Sequence, residues 1–214
     1  MTLTVDEQAI LKSHVEAMGD ELGTTFFQLS RKLIELHIVW QQYRQLYGSD
    51  EETIFLLNRT AGLFFKIVQD QLWDSVLLGI SRMTDSPSTA GKKNLTIQSL
   101  KSLITDPGLQ LEIEALCKAA VDAASYAKEH RNKRIAHQDH CYIADRASNP
   151  LSGISRQSVE MMLAALRELL NKIDSHYRDA TMLYEKFVDS TGAMALVSKL
   201  KHLERLSEAA KHTP

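Results

Sequence analysis

The sequence predicts an all-α protein: a bundle of about six to seven helices, with a further helix as a C-terminal extension. Three observations predict it. Apolar residues recur at three- and four-residue steps along most of the chain. No segment shows a convincing two-residue alternation of the kind a half-buried strand requires. The four prolines stand at positions 87, 107, 150 and 214, so the long intervals between them lack the residue that helix interiors tolerate least. Residues 1–190 are expected to form a single helical domain, and residues 191–214 an amphipathic helix and tail.

From Val5 to Tyr47 one face runs through Ile10, Leu11, His14, Val15 and Met18, loosens at Gly19 and Gly23, and resumes as Phe26, Leu29, Leu33, Leu36, Trp40 and Tyr43. Two helices, or one bent near the glycines, account for it. Gly48 to Glu52 supplies a stop, a cap candidate in Ser49 or Asp50, and acids for the next first turn. A helix from about Asp50 to Met83 follows. Its apolar residues Leu56, Phe64, Ile67, Val68, Leu72, Val76 and Ile80 spread almost all round it, which predicts a central position, while Asp74, Ser75, Arg82 and Asp85 form a polar set towards its end. Ser86 to Asn94 reads as a loop, Thr96 to Ile104 as a short helix, and Pro107 as the first turn of a helix reaching Arg134 or slightly beyond. Residues 139–155 break the periodicity. A last long helix is expected from about Gln157 to Val188, and after Gly192 an amphipathic one from Ala193 to Lys211 with Leu196, Leu200, Leu203 and Leu206 on one side.

With 25 basic and 27 acidic side chains the net charge is -2, so any affinity for nucleic acid has to come from a local patch. Two cysteines, Cys117 and Cys141, make no disulfide framework and suit a reducing cytoplasm. Met1 to Asp6 lacks the basic-then-apolar order of a secretory signal, and no apolar run is long enough to span a bilayer. A cytoplasmic location with no membrane association is the expectation.

Polar residues crowd into Lys128-Glu129-His130-Arg131-Asn132-Lys133-Arg134-Ile135-Ala136-His137-Gln138-Asp139-His140. Upstream, Ile113, Cys117, Ala120, Ala124 and Ala127 trace an apolar seam, and the same count carries Arg131 and Arg134 inward. A guanidinium on such a seam has to meet a partner, because an unpaired buried charge is prohibitively costly. The bland account of the basic run is a solvated helix end whose cations complement the dipole. It suits Lys128 and Lys133, but not Arg131. A metal cluster of His130, His137, Asp139, His140 and Cys141 has no familiar ligand spacing and faces neighbouring arginines that repel a cation.

Arg131-Asn132, followed by His137 six positions after the arginine, resembles the Arg-X(4 to 6)-His motif of HEPN-domain proteins, the higher eukaryotes and prokaryotes nucleotide-binding family. Together with Gln138-Asp139 and the phrase Trp73 to Asp85 on an earlier helix, the form is most similar to the branch linked to bacterial abortive infection, over roughly residues 20 to 190. The resemblance implies a helical bundle that dimerises so that two motifs line one cleft. It further implies a metal-independent, cofactor-free endoribonuclease, a toxin or phage-defence effector with RNA as substrate and a possible cognate antitoxin protein. Other members are non-catalytic, so a nucleotide-binding, RNA-binding or protein-interaction module is the alternative.

Under the first reading Arg131, Asn132 and His137 are the catalytic candidates, and Arg134, Lys133 and Lys128 the phosphate-binding ones. Arginine can hold two phosphate oxygens and stays charged, histidine moves protons near neutral pH, and asparagine can orient the imidazole or touch the phosphate. At about 100° per residue, Arg131 and His137 stand about 240° apart on an ideal helix. A joint site therefore needs a distorted helix end or a second chain. The small residues Ala120, Ala124 and Ala127 favour a second chain, hence a symmetric homodimer.

Overall fold

A computed structural model of the chain describes residues 3–132, 154–186 and 189–211. They form seven α-helices: α1 Val5–Met18, α2 Asp20–Tyr47, α3 Glu51–Met83, α4 Pro107–Ala123, α5 Ser125–His130, α6 Arg156–Arg178 and α7 Ala193–Lys211. A 3-10 turn, Ile97–Ser102, precedes α4. The described residues are almost wholly α-helical and end in a C-terminal helix, the all-α class that the sequence predicts. Two compact units divide the chain, Met1–Leu36 with Leu77–Tyr184, and His37–Val76 with Glu185–Pro214. Among the described residues no helix is long and apolar enough to cross a membrane.

Helix α1 starts on a capping box, in which Thr4 accepts from the Glu7 amide at 3.2 Å and Glu7 from the Thr4 amide at 2.8 Å. It ends at Gly19, whose φ of 83° is open to glycine at little cost. Gly23 then lets α2 fold back against α1, since a Cβ there would stand 2.6 Å from the His14 carbonyl oxygen. The bend expected near these glycines is thus a break into two helices. Asp106 caps α4 through a 2.6 Å bond from the Leu109 amide, with Pro107 behind it as expected. Helix α4 packs along α6, and the core of this first unit is apolar and fully buried, with Phe26, Leu33, Leu77, Ile80, Ile113, Leu163, Leu166 and Ile173 among its members.

Four expectations are corrected. The loop after α3 holds a minimal antiparallel pair, Ser88–Thr89 with Lys92–Lys93, turned by Ala90 and Gly91 at φ 49° and 77°. Helix α6 stops at Arg178, ten residues before Val188, because Asp179 takes a left-handed conformation, φ 50° and ψ 39°. The Asn171 carboxamide then binds the Met182 amide and carbonyl, at 2.9 and 3.1 Å, so Tyr184 reaches its buried place from a non-helical segment. Helix α3 is not buried all round: Leu56, Leu57, Val76, Leu77 and Ile80 are buried, whereas Leu63 is 79% and Phe64 59% exposed. Phe64, counted among the apolar residues that predict a central helix, is therefore a surface residue. The buried side of α7 is Ala193 and Val197, with Leu200 packed beside them; Leu196, Leu203 and Leu206 are exposed.

Inside the second unit, α3 loses helical geometry at Ala61, φ -158° and ψ 65°. The Tyr47 hydroxyl donates to the Phe65 carbonyl at 2.7 Å, just beyond that interruption. Leu46, Leu56, Leu57 and Phe65 pack with Ala193 and Val197, and Arg59 with Glu204 and Lys201 with Glu52 form ion pairs between α3 and α7.

Candidate functional site

The seam predicted for α4 exists. Ile113, Cys117, Ala120, Ala124 and Ala127 are all buried within the chain, and burial pushes the Cys117 thiol's pKa up, so it serves as a small apolar side chain. The alanines are consequently occupied inside the protomer and are not available to seat a second chain's helix. At Ala124 the backbone loosens to ψ 2°, yet the bonds on either side persist: Ala124 N–H to Ala120 O at 3.0 Å and Lys128 N–H to Ala124 O at 3.1 Å. The predicted single helix thus becomes α4 and α5, and the turn widens towards π geometry at Arg131 and Asn132.

Arg131 continues the seam, and its guanidinium meets a carboxylate. Nη1 donates to both oxygens of Asp85, at 2.7 and 2.6 Å, and Nε donates to the Asn132 Oδ1 at 3.1 Å. The two charged side chains are 23% and 28% exposed, so water reaches the pair without swamping it. Among the described residues nothing engages Nη2, which leaves one edge of the fork with donors to spare. His130, directly before, is buried, Lys128 is half-buried one turn back, and Asn132 is exposed.

Asp85 is held firmly. It lies just past the end of α3, where the last carbonyls of a helix lack intrahelical partners. Thr84 returns its hydroxyl to the Ile80 carbonyl at 3.0 Å. The Thr96 hydroxyl reaches the Met83 and Asp85 carbonyls at 2.9 and 2.7 Å, and the Gln98 amide donates to those of Thr84 and Asp85 at 2.8 and 3.0 Å. The 3-10 turn therefore serves as a clamp on the end of α3, aiming its carboxylate at Arg131.

Of the sequence-predicted site residues, Arg131 and Asn132 come together and Lys128 stands nearby. Lys133, Arg134 and His137 lie outside the described residues. Sequence reasoning noted Asp85 as a polar residue without a role, and it did not consider Thr96 or Gln98. Nothing local links Asp85 to a residue 46 positions later.

Residues 19–194 match the family model HEPN AbiU2, described as AbiU2. No curated protein and no solved structure matches the chain. The match covers most of the sequence and contains α2 to α6, Asp85 and the whole Arg131 stretch, so the chain belongs to the AbiU2 family of HEPN-domain, abortive-infection-like proteins.

Proposed function

We propose that the protein is a metal-independent endoribonuclease of HEPN type, acting as a toxin or phage-defence effector through a cleft shared by two copies of the chain. The observation that carries this reading is Arg131 itself: a permanently charged fork on an otherwise apolar seam, oriented by Asp85 and Asn132 at a widened helix end, with Nη2 unengaged among the described residues. Its Nη2 can donate to a phosphate oxygen, and its charge matters more as negative charge gathers on the phosphorane.

His137 supplies the proton transfer. As general base it removes the 2′-hydroxyl proton, the 2′-oxygen forms a bond to phosphorus, and the bond from phosphorus to the 5′-oxygen breaks as that oxygen is protonated. The products are a 2′,3′-cyclic phosphate and a 5′-hydroxyl, with no change in oxidation state. Lys128, Lys133 and Arg134 add phosphate contacts that hold the strand.

The test is cleavage of single-stranded RNA in chelator, with 5′-hydroxyl and cyclic-phosphate ends identified on the products. Arg131→Ala is expected to lower the rate on the order of 10²-fold or more, and His137→Ala by about 10²–10⁴-fold. Equal cleavage by wild type and both variants removes the assignment. A wild-type protein that binds RNA without cutting it favours the non-catalytic module, with Asp85 as a lasting occupant of Arg131.

A further inference from the structure

The unit built from residues 1–36 and 77–184 holds a cavity of about 410 Å³ whose lining shares no residue with the Arg131 site. Ile10 of α1, Phe26, Phe27 and Ile34 of α2, and Met182 beyond α6 make its walls apolar. At its polar end Asp174 and Arg178, one turn apart on α6, face His14 of α1.

The hydrogen bonding at that end is incomplete. His14 uses Nδ1 to donate to the Ile10 carbonyl at 2.8 Å, which leaves Nε2 to accept from Arg178 Nη1. Burial first, and the Arg178 charge second, hold the imidazole's pKa below its usual value, so it is neutral. The Ser30 and Tyr184 hydroxyls bond each other at 3.1 Å. Asp174 is left over. It is only 5% exposed, among the described residues its Oδ1 accepts no hydrogen bond, and its ion-pair partner, the Arg178 Nε, stands 3.5 Å off. A buried acceptor without a hydrogen-bond donor is costly, and here it borders a space large enough for a metabolite. Of the other carboxylates in the lining, Glu7 pairs with Arg31 and Glu35 with Lys32, each at 2.7 Å, so the acceptor left for a ligand's donor is Asp174.

We propose that this cavity binds a small primary amine on an apolar body, whose ammonium donates to Asp174 while its aromatic or branched part lies against Phe26 and Phe27. Two sources share that chemistry. A free amine uses Asp174 alone, and an amino acid with a large apolar side chain also sets its carboxylate on the Arg178 guanidinium.

Calorimetric titration of the full chain with phenethylamine, L-phenylalanine and 3-phenylpropionate tests this. Saturable binding of either amine with none of 3-phenylpropionate is the expected result. The tighter of the two amines then identifies the source. Asp174→Asn keeps the volume and relieves a buried charge, so its Tm should not fall while amine binding weakens at least tenfold. Met182→Trp, which fills the space from its rim and leaves Asp174 intact, should also weaken it. The proposal is overturned if neither amine saturates at millimolar concentration, if 3-phenylpropionate binds as well as phenethylamine, or if both variants bind like wild type.

Discussion

At the scale of single residues, Arg131 and Asp85 form the pair on which the site turns. Both side chains are roughly three-quarters withdrawn from water, so the interaction lies between an exposed pair, worth at most about 1 kcal/mol, and a buried one whose breaking costs about 3–5 kcal/mol. Asp85→Ala is expected to lower the unfolding free energy by about 1–2 kcal/mol in a urea titration. Asp85→Glu, which keeps the charge on a longer arm, should recover part of that. The sequence made half of this pair legible. Arg131 falls on a seam of buried alanines, so a partner was required, but the partner's identity depends on how the end of α3 meets α5, and no spacing rule reports that. The Asp174–Arg178 pair is an opposite case: its four-residue spacing on one helix was readable, and only the burial that gives it interest was not.

His14 has a titration of its own. Its folded pKa lies below the ordinary 6.5, chiefly through burial. The fold thus favours the neutral ring, and the associated stability is present above about pH 6.5 and is lost as pH falls towards the folded value. Asp174 carries the opposite sign, because burial raises its pKa and its protonated form is the one the fold prefers. The effect of His14 is best read in an Asp174→Asn background. There Tm should drop between pH 7.5 and 5.5, and the further change His14→Asn should make that drop shallower. Equal slopes would show that His14 does not titrate with folding.

At the scale of elements, helix starts were the most legible features because they are written locally. Pro107 was read as a first turn and stands there behind Asp106, while the Thr4–Glu7 capping box, which spans only four residues, was there to be read and was passed over. Helix ends were less so. The end of α6 depends on a left-handed aspartate and a distant asparagine bridge, while Tyr177 and Tyr184 keep a seven-residue spacing that imitates a continuing helix. Glycine matters between elements too. Gly23→Ala would press a methyl against the His14 carbonyl backbone, which side-chain movement cannot relieve. A loss of about 1–3 kcal/mol is expected by chemical denaturation, as for other overpacked contacts, and an unchanged midpoint would mean that α1 shifts freely. Thr96→Val removes the hydroxyl at the clamp on α3. Besides costing about 1–2 kcal/mol, it should lower RNA cleavage more than an equally destabilising change in α7, because it loosens the residue that aims Arg131.

At the scale of the whole molecule, the all-helical architecture and the family followed from periodicity and one short motif, and the family match spans 19–194. The alanines first assigned to a second chain are buried inside this one, and the helix end widens at Arg131 and Asn132, so the proposed shared cleft now rests on the family. Light scattering at micromolar concentration is expected to report a dimer. Mixing two inactive proteins, Arg131→Ala and His137→Ala, should restore activity if one cleft takes its arginine and histidine from different copies; no recovery from verified mixed dimers would place both groups on one chain. The rate should also change between about pH 5 and 8 if His137 moves the proton.

The non-helical backbone at Ala61 interrupts a long helix at a defined place. Amides beside such an interruption are expected to exchange their hydrogens with solvent through small openings that need no global unfolding. Tyr47 restrains that motion by fastening the Phe65 carbonyl. Tyr47→Phe should therefore accelerate deuterium uptake in residues 62–68 while leaving the slowest-exchanging amides of α6 untouched, as a latch does when it is lifted on one door only.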